Sequence, residues 1–230
     1  MRVLVACECS QTVCKAFRKR GHEAYSCDIQ MCYGEDPRPE WHILGDVRLV
    51  LEPDTQGATG FNCANGDVHM WYGTWDLIIA HHPCTYLTVT GNRWFNVQRY
   101  GQTAIDRQKQ RDDGARFFME FVHAPCPKIA VESPVGCMSR IYRKPDQIIQ
   151  PYQFGHPTTK KTCLWLKGLP NLEPTNVVDV DTQDVYAYVA KNGRIKHDCR
   201  SRSRGKASER ANHRSKTFQG IADAMAEQWG

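Results

Sequence analysis

Five apolar runs of strand length punctuate the chain: Arg2-Val3-Leu4-Val5-Ala6, Glu23-Ala24-Tyr25-Ser26-Cys27, Leu77-Ile78-Ile79-Ala80, Lys128-Ile129-Ala130-Val131 and Cys163-Leu164-Trp165-Leu166. Short apolar runs bounded by polar turns predict buried strands. Helical spacing fills the intervals. Thr12 to Arg20 puts Val13, Ala16 and Phe17 on one face and Lys15, Arg18, Lys19 and Arg20 elsewhere, with Gly21 as a C-cap. Ile105 to His123 is charged at first and then apolar at Ala115, Phe117, Phe118, Phe121 and Val122, until Pro125-Cys126-Pro127 stops it. Phe218 to Ala226 predicts a third helix. Strands alternating with helices predict an α/β fold with a mixed, mostly parallel sheet and helices on both faces.

The remaining stretches are less regular. His42-Ile43-Leu44 leads to Gly45-Asp46-Val47, an acid at a strand end. Glu52 to Gly73 holds four glycines and reads as a loop or hairpin insertion, with Asn65-Gly66 as its tight turn. Thr88 to Tyr100 is polar and aromatic, with Gly91 as a hinge candidate; Tyr142 to Thr162 and Leu169 to Asp184 read as turn-rich connections. No internal repeat occurs.

Composition narrows the class. At 230 residues and 41% hydrophobic, the chain has enough material for one α/β domain, or one domain with a small appendage. No run approaches the ~20 apolar residues of a membrane span. Met1 leads straight into a strand pattern, without a charged and then apolar leader, so the expected location is cytoplasmic. Eleven cysteines lack paired zinc spacings and read as reduced, mostly buried thiols, with no metal expected. From Lys191 to Lys216, ten Lys or Arg face only Asp198 and Glu209, a local +8 that leaves about −3 for the rest. That asymmetry predicts a polyanionic partner.

The strongest chemical signal follows the strand at Leu77–Ala80, in His81-His82-Pro83-Cys84-Thr85-Tyr86. Pro83 fixes its own φ and biases His82 towards extended backbone, so Cys84 sits on a stiff turn at a strand end, where open α/β sheets place reactive groups. Glu132 follows the strand at Lys128–Val131 in a similar position. A thiolate and an acid so placed suit addition to C6 of a pyrimidine while the acid engages N3, which makes C5 a nucleophile. The ordinary thiol pKa, about 8.5, means Cys84 needs help to ionise; His81, His82 and Arg93 are the candidates nearby in sequence.

These residues, in this order, resemble the cytosine-C5 DNA methyltransferases, most closely the small versions of phage and prophage genomes. Leu4-Val5-Ala6-Cys7-Glu8-Cys9-Ser10 is similar to the family's first S-adenosyl-L-methionine loop, with its glycines replaced. Asp28 stands at the ribose-binding acid, and Gly45-Asp46-Val47 at the segment that reads the adenine amino group. Pro83-Cys84 matches the catalytic Pro-Cys pair, Glu132-Ser133 the family's Glu-Asn, and Phe154 to Thr162 its late basic motif. Arg214 to Ala226 resembles the last shared segment. Thr85, Ser133, Thr158, Lys160 and Thr162 depart from the family's residues.

The resemblance implies a Rossmann-like, adenosylmethionine-dependent methyltransferase fold acting on DNA cytosine. It assigns catalysis to Cys84, Glu132 and Lys160, the last as base or phosphate contact. It assigns the cofactor to Ala6, Cys7, Glu8, Ser10, Asp28, Ile29, Asp46, Val47, His82 and Pro83, although Glu8 serves equally as a helix cap. Arg93, Arg200, Arg202, Arg204 and Arg214 are the expected DNA contacts. Residues 1–166 form the catalytic and cofactor-binding domain, 167–213 a short basic insertion in place of a target-recognition region, and 214–230 a helix returning to the domain. So short an insertion implies brief recognition or a specificity partner. Two alternatives remain open: a related pyrimidine-C5 modification with another one-carbon donor, and a non-catalytic DNA-binding protein on the same scaffold.

Overall fold

Seven strands form one sheet in the order β3-β2-β1-β6-β7-β9-β8. The strands are β1 (Arg2–Ala6), β2 (Glu23–Asp28), β3 (His42–Leu44), β6 (Leu77–Ala80), β7 (Lys128–Pro134), β8 (Gln147–Ile149) and β9 (Thr162–Lys167). β4 (Ala58–Asn62) and β5 (Val68–Tyr72) make a separate hairpin. All neighbours are parallel except those of β9, which runs against β7 and β8. The helices are α1 (Thr12–Lys19), α2 (Arg48–Leu51), α3 (Val97–Tyr100), α4 (Gln102–His123), α5 (Met138–Ile141) and α6 (Gln219–Gln228). This computed structural model describes residues 1–180 and 216–230 and, between them, only the backbone pairing of β10 (Tyr186–Val189) with β11 (Ile195–Asp198). Arg200, Arg202, Arg204 and Arg214 lie outside the described residues.

Period-two alternation divides the core into two layers. Leu4, Ala6, Ile78, Ala80, Ile129, Val131 and Trp165 face α4, where they meet Phe118 and Phe121. Val3, Val5, Leu77, Ile79, Ala130 and Leu164 face α1 and α6, where they meet Phe17, Ile221, Met225 and Trp229. Strands buried on both faces explain the continuous apolar runs. The chain builds outward from β1 to β3, crosses back to β6 beside β1, and ends in an antiparallel insertion. That is a Rossmann-like arrangement.

Two details differ from the sequence reading, and a third settles an alternative it left open. β7 continues to Pro134 because β9 pairs with it up to Thr162, so Glu132 lies inside the strand rather than beyond it. β8 emerges from a stretch read as turns; three residues at a sheet edge are too few to show a period. Finally, Glu52–Gly73 resolves into the β4–β5 hairpin, whose Phe61 and Trp71 pack with Tyr25 and Trp75. Among the described residues no helix is long and apolar enough to cross a membrane.

Candidate active site

Strand register builds the site. Ala6 pairs with Cys27 on one side and Ala80 on the other, and Ala80 pairs with Val131. The next residue on each strand is Asp28, Cys7, His81 and Glu132, a single row at the carboxyl edge. Between β1 and β6 the chain changes direction of travel across the sheet, the switch point where open α/β sheets hold ligands. His81 follows Leu77 and Ile79 on the α1–α6 face, as Glu132 follows Ala130. His82 therefore turns to the other face, where its ring meets Phe118 edge-on at 5.1 Å.

His81 and Glu132 are bonded to each other, Nδ1 to Oε2 at 3.2 Å, with side chains 8% and 20% exposed. Burial alone would lower the imidazole pKa, but the hydrogen bond and charge of Glu132 outweigh it and raise it. Burial likewise pushes the carboxyl up, and His81, followed by Lys160, outweighs it, so Glu132 sits below its ordinary value. Both shifts favour the charged forms, imidazolium and carboxylate. Nε2 of His81 is buried with no hydrogen-bond partner among the described residues.

Cys84 is half-buried. Burial and then the charge of Glu132 push its thiol up, while Lys160 pulls it down. At rest the residue is a thiol. The helpers proposed from sequence are otherwise engaged: His81 is held by Glu132, burial depresses His82 to about 4 so that it is neutral, and Arg93 stacks on Trp94 at 4.6 Å. The cation that favours a Cys84 thiolate is Lys160, half-buried with its ammonium 5.8 Å from the Phe218 ring.

A backbone clamp fixes Cys84 relative to Glu132. The Leu87 amide donates to the Cys84 carbonyl at 3.0 Å, closing the turn. Cys137 N–H donates to the Leu87 carbonyl at 2.8 Å, and Val89 N–H to the Val135 carbonyl at 3.2 Å. Gly136 permits this zipper, because a Cβ there would overlap the Leu87 carbonyl oxygen. The loops after β6 and β7 are thus one unit. Nothing in the sequence pattern signals it except Gly136 itself.

On the β1–β3 side most polar groups are committed to structure. Glu8 is buried and accepts from the Val13 and Cys14 amides at 2.8 and 3.1 Å, which caps α1. That commits its carboxylate to the cap rather than to a ligand. Cys7 and Gln11 adopt positive φ, 58° and 56°, the conformation glycine would supply without cost. Ser10 bonds to Glu8 and Thr12 at 3.3 and 3.2 Å. Ala6 and Val47 are buried in the core, so Val47 offers its side chain to packing. Asp46 pairs with Arg48, which also binds Glu120 at 2.6 Å.

Asp28 is the acid left most available. It is half-buried, accepts the Gln30 amide at 2.9 Å, and burial raises its pKa. Beside it Ile29 is 76% exposed, as is Leu49 (79%) next to Arg48. Apolar side chains left in water around two acids at a switch point fit an adenosyl group; Glu8 at the loop does not fit a pyrophosphate. Pro83 is exposed at the same edge, whereas His82 is packed under Phe118 and presents no edge to this cleft.

The segment after Cys84 is anchored to α4. Arg111 donates to the Tyr86 carbonyl at 3.0 Å and to Asn92 at 2.7 Å, and lies over Phe95. Arg93 and Trp94 project beyond those anchors into solvent.

No protein-family model matches the chain, and no curated protein matches it. Solved structures do. One is the crystal structure of a candidate DNA modification methyltransferase encoded within a prophage in E. coli, 14% identical with a TM-score of 0.42. The match covers 82% of this chain and 55% of that one, so the chain spans about half the length of that protein.

Proposed function

We propose that the protein methylates C5 of cytosine in DNA, using S-adenosyl-L-methionine. One observation carries the reading: Cys84, on the loop after β6, and Glu132, on the adjacent parallel strand β7, are held in one unit through Leu87, Gly136 and Cys137. Both groups are needed by one chemistry. The Cys84 sulfur adds to C6, and the C5=C6 pair moves to C4=C5 while N3 takes a proton from Glu132. C5, now nucleophilic, takes the methyl group. Loss of the C5 proton to solvent then re-forms C5=C6, the Cys84 sulfur leaves, and N3 returns its proton.

S-adenosyl-L-methionine supplies the electrophilic methyl group when bound. Asp28 would hold the ribose hydroxyls, Asp46 the adenine edge, and Ile29 and Leu49 its faces. The target base must leave the helix stack, since C6 is shielded within it. Arg93, with Arg200, Arg202, Arg204 and Arg214 of the basic stretch, would carry phosphate contacts. Lys160 offsets negative charge beside Cys84.

The test is covalent trapping. Incubated with labelled S-adenosyl-L-methionine and 5-fluorocytosine DNA, the wild-type protein forms a denaturation-resistant complex and Cys84→Ser does not. DNA binding with no adduct would sink the reading and leave a binding protein.

A further inference from the structure

We infer that His81 is the proton store of Glu132, the group that lets a buried carboxylate act as an acid at N3. This deepens the proposed methyl transfer and rests on it. The geometry is specific: adjacent parallel strands place the two side chains in one row on one face, 3.2 Å apart and nearly buried. A carboxylate cannot donate, and at neutral pH Glu132 is held as a carboxylate by the cations around it. The proton the reaction needs is already bound to its partner's Nδ1.

Among the described residues, the charged groups that act on His81 leave that placement in force. Glu132 and Glu8 favour the proton on His81; Lys160 opposes it. His82, adjacent in the chain, is neutral. With Nε2 of His81 unpartnered, the described residues offer its imidazole no acceptor other than Glu132.

The transfer balances. As the Cys84 sulfur bonds to C6, its thiol proton passes to solvent, and the C4=N3 pair takes a proton from Glu132. That proton reaches Glu132 from His81 Nδ1, which leaves neutral imidazole and, once N3 is protonated, carboxylate. When C6–S breaks, the N3 proton returns through Glu132 to His81, and the pair regains its first state. His81 touches no substrate atom in this scheme; it is a positioning residue acting through Glu132.

The test combines two readouts on the whole protein. In the first, imidazole NMR of wild type should show His81 titrating above pH 6.5, and Glu132→Gln should move that titration down, because the charge of Glu132 no longer opposes burial. No difference between the two proteins overturns the pairing, whether or not the enzyme turns over. In the second, adduct formation on 5-fluorocytosine DNA is followed against pH. His81→Gln keeps a hydrogen bond to Glu132 but stores no proton. Its alkaline limb should move to lower pH, with a loss of about 100-fold at pH 8, the low end of general-acid effects, that acidification restores. A profile superimposable on wild type overturns the relay alone. No wild-type adduct at any pH overturns the methyl-transfer reading and the relay with it, while the NMR result stands separately.

Discussion

The two halves of the carboxyl edge use their polar groups differently. On the β1–β3 side, Glu8 caps α1, buried Gln11 ties Ser26 to Arg38, and Asp46 is paired with Arg48. On the β6–β7 side, His81, Glu132 and Cys84 are buried close together with charge held in the low-dielectric floor. The first half is rigid because its polar groups are satisfied. The second holds an ion pair and a half-buried thiol whose charges are felt strongly away from water. Substitutions should divide accordingly, the first half altering binding and stability, the second altering turnover.

The largest effect expected is from Glu132→Gln, which removes the acid. Methyl transfer should fall by about 10²–10⁴-fold, while S-adenosyl-L-methionine binding, measured by calorimetry, stays unchanged. A comparable loss of affinity would erase the division between the halves.

His82 tests whether burial separates it from His81. Its folded pKa of about 4 lies below the ordinary 6.5, so stability is present above pH 6.5 and declines as pH falls towards 4. Denaturant titrations should show on the order of 3 kcal/mol lost over that window in wild type and little in His82→Phe. His81 works in the opposite sense: its raised pKa favours the fold at low pH, and that contribution is lost as pH rises through it.

Gly136→Ala pushes a methyl group into the Leu87 carbonyl and should part Cys84 from Glu132. Displacement on the ångström scale costs about 100-fold in rate, read as kcat with KM little moved. Asp28→Asn belongs to the other half. It should raise the KM for S-adenosyl-L-methionine about tenfold, the 1.4 kcal/mol scale of one hydrogen bond to a charged group, with kcat preserved. Glu8→Ala is expected to be smallest. Losing the α1 cap costs about 1 kcal/mol of stability in thermal unfolding, and an effect confined to cofactor affinity would return Glu8 to the ligand.

The central strands were legible in the sequence because both faces of the sheet are covered there, which makes each of them a continuous apolar run. Cys84 was legible for a local reason, Pro83 at a strand end. The His81–Glu132 bond was not, since it joins residues 51 apart and depends on a register that no local pattern encodes. Glu8 was ambiguous in sequence because caps and ligand contacts use the same side chain in the same place. The packing of His82 against Phe118 was not legible either, because extended backbone after Ala80 sends neighbouring side chains to opposite faces.

The closing helix has a consequence for how the chain is made. α6 packs on α1, Gly220 lies so close to the Phe154 carbonyl that a Cβ would overlap it, and His156 accepts the Gly220 amide at 3.0 Å. Trp229 is fully buried beside residues near the start of the chain. A ribosome must therefore deliver the entire basic stretch before the layer under α1 can close. Until then the nascent protein exposes the apolar patch that α6 covers while carrying its most cationic segment, a state in which prematurely terminated chains are conspicuous to proteases.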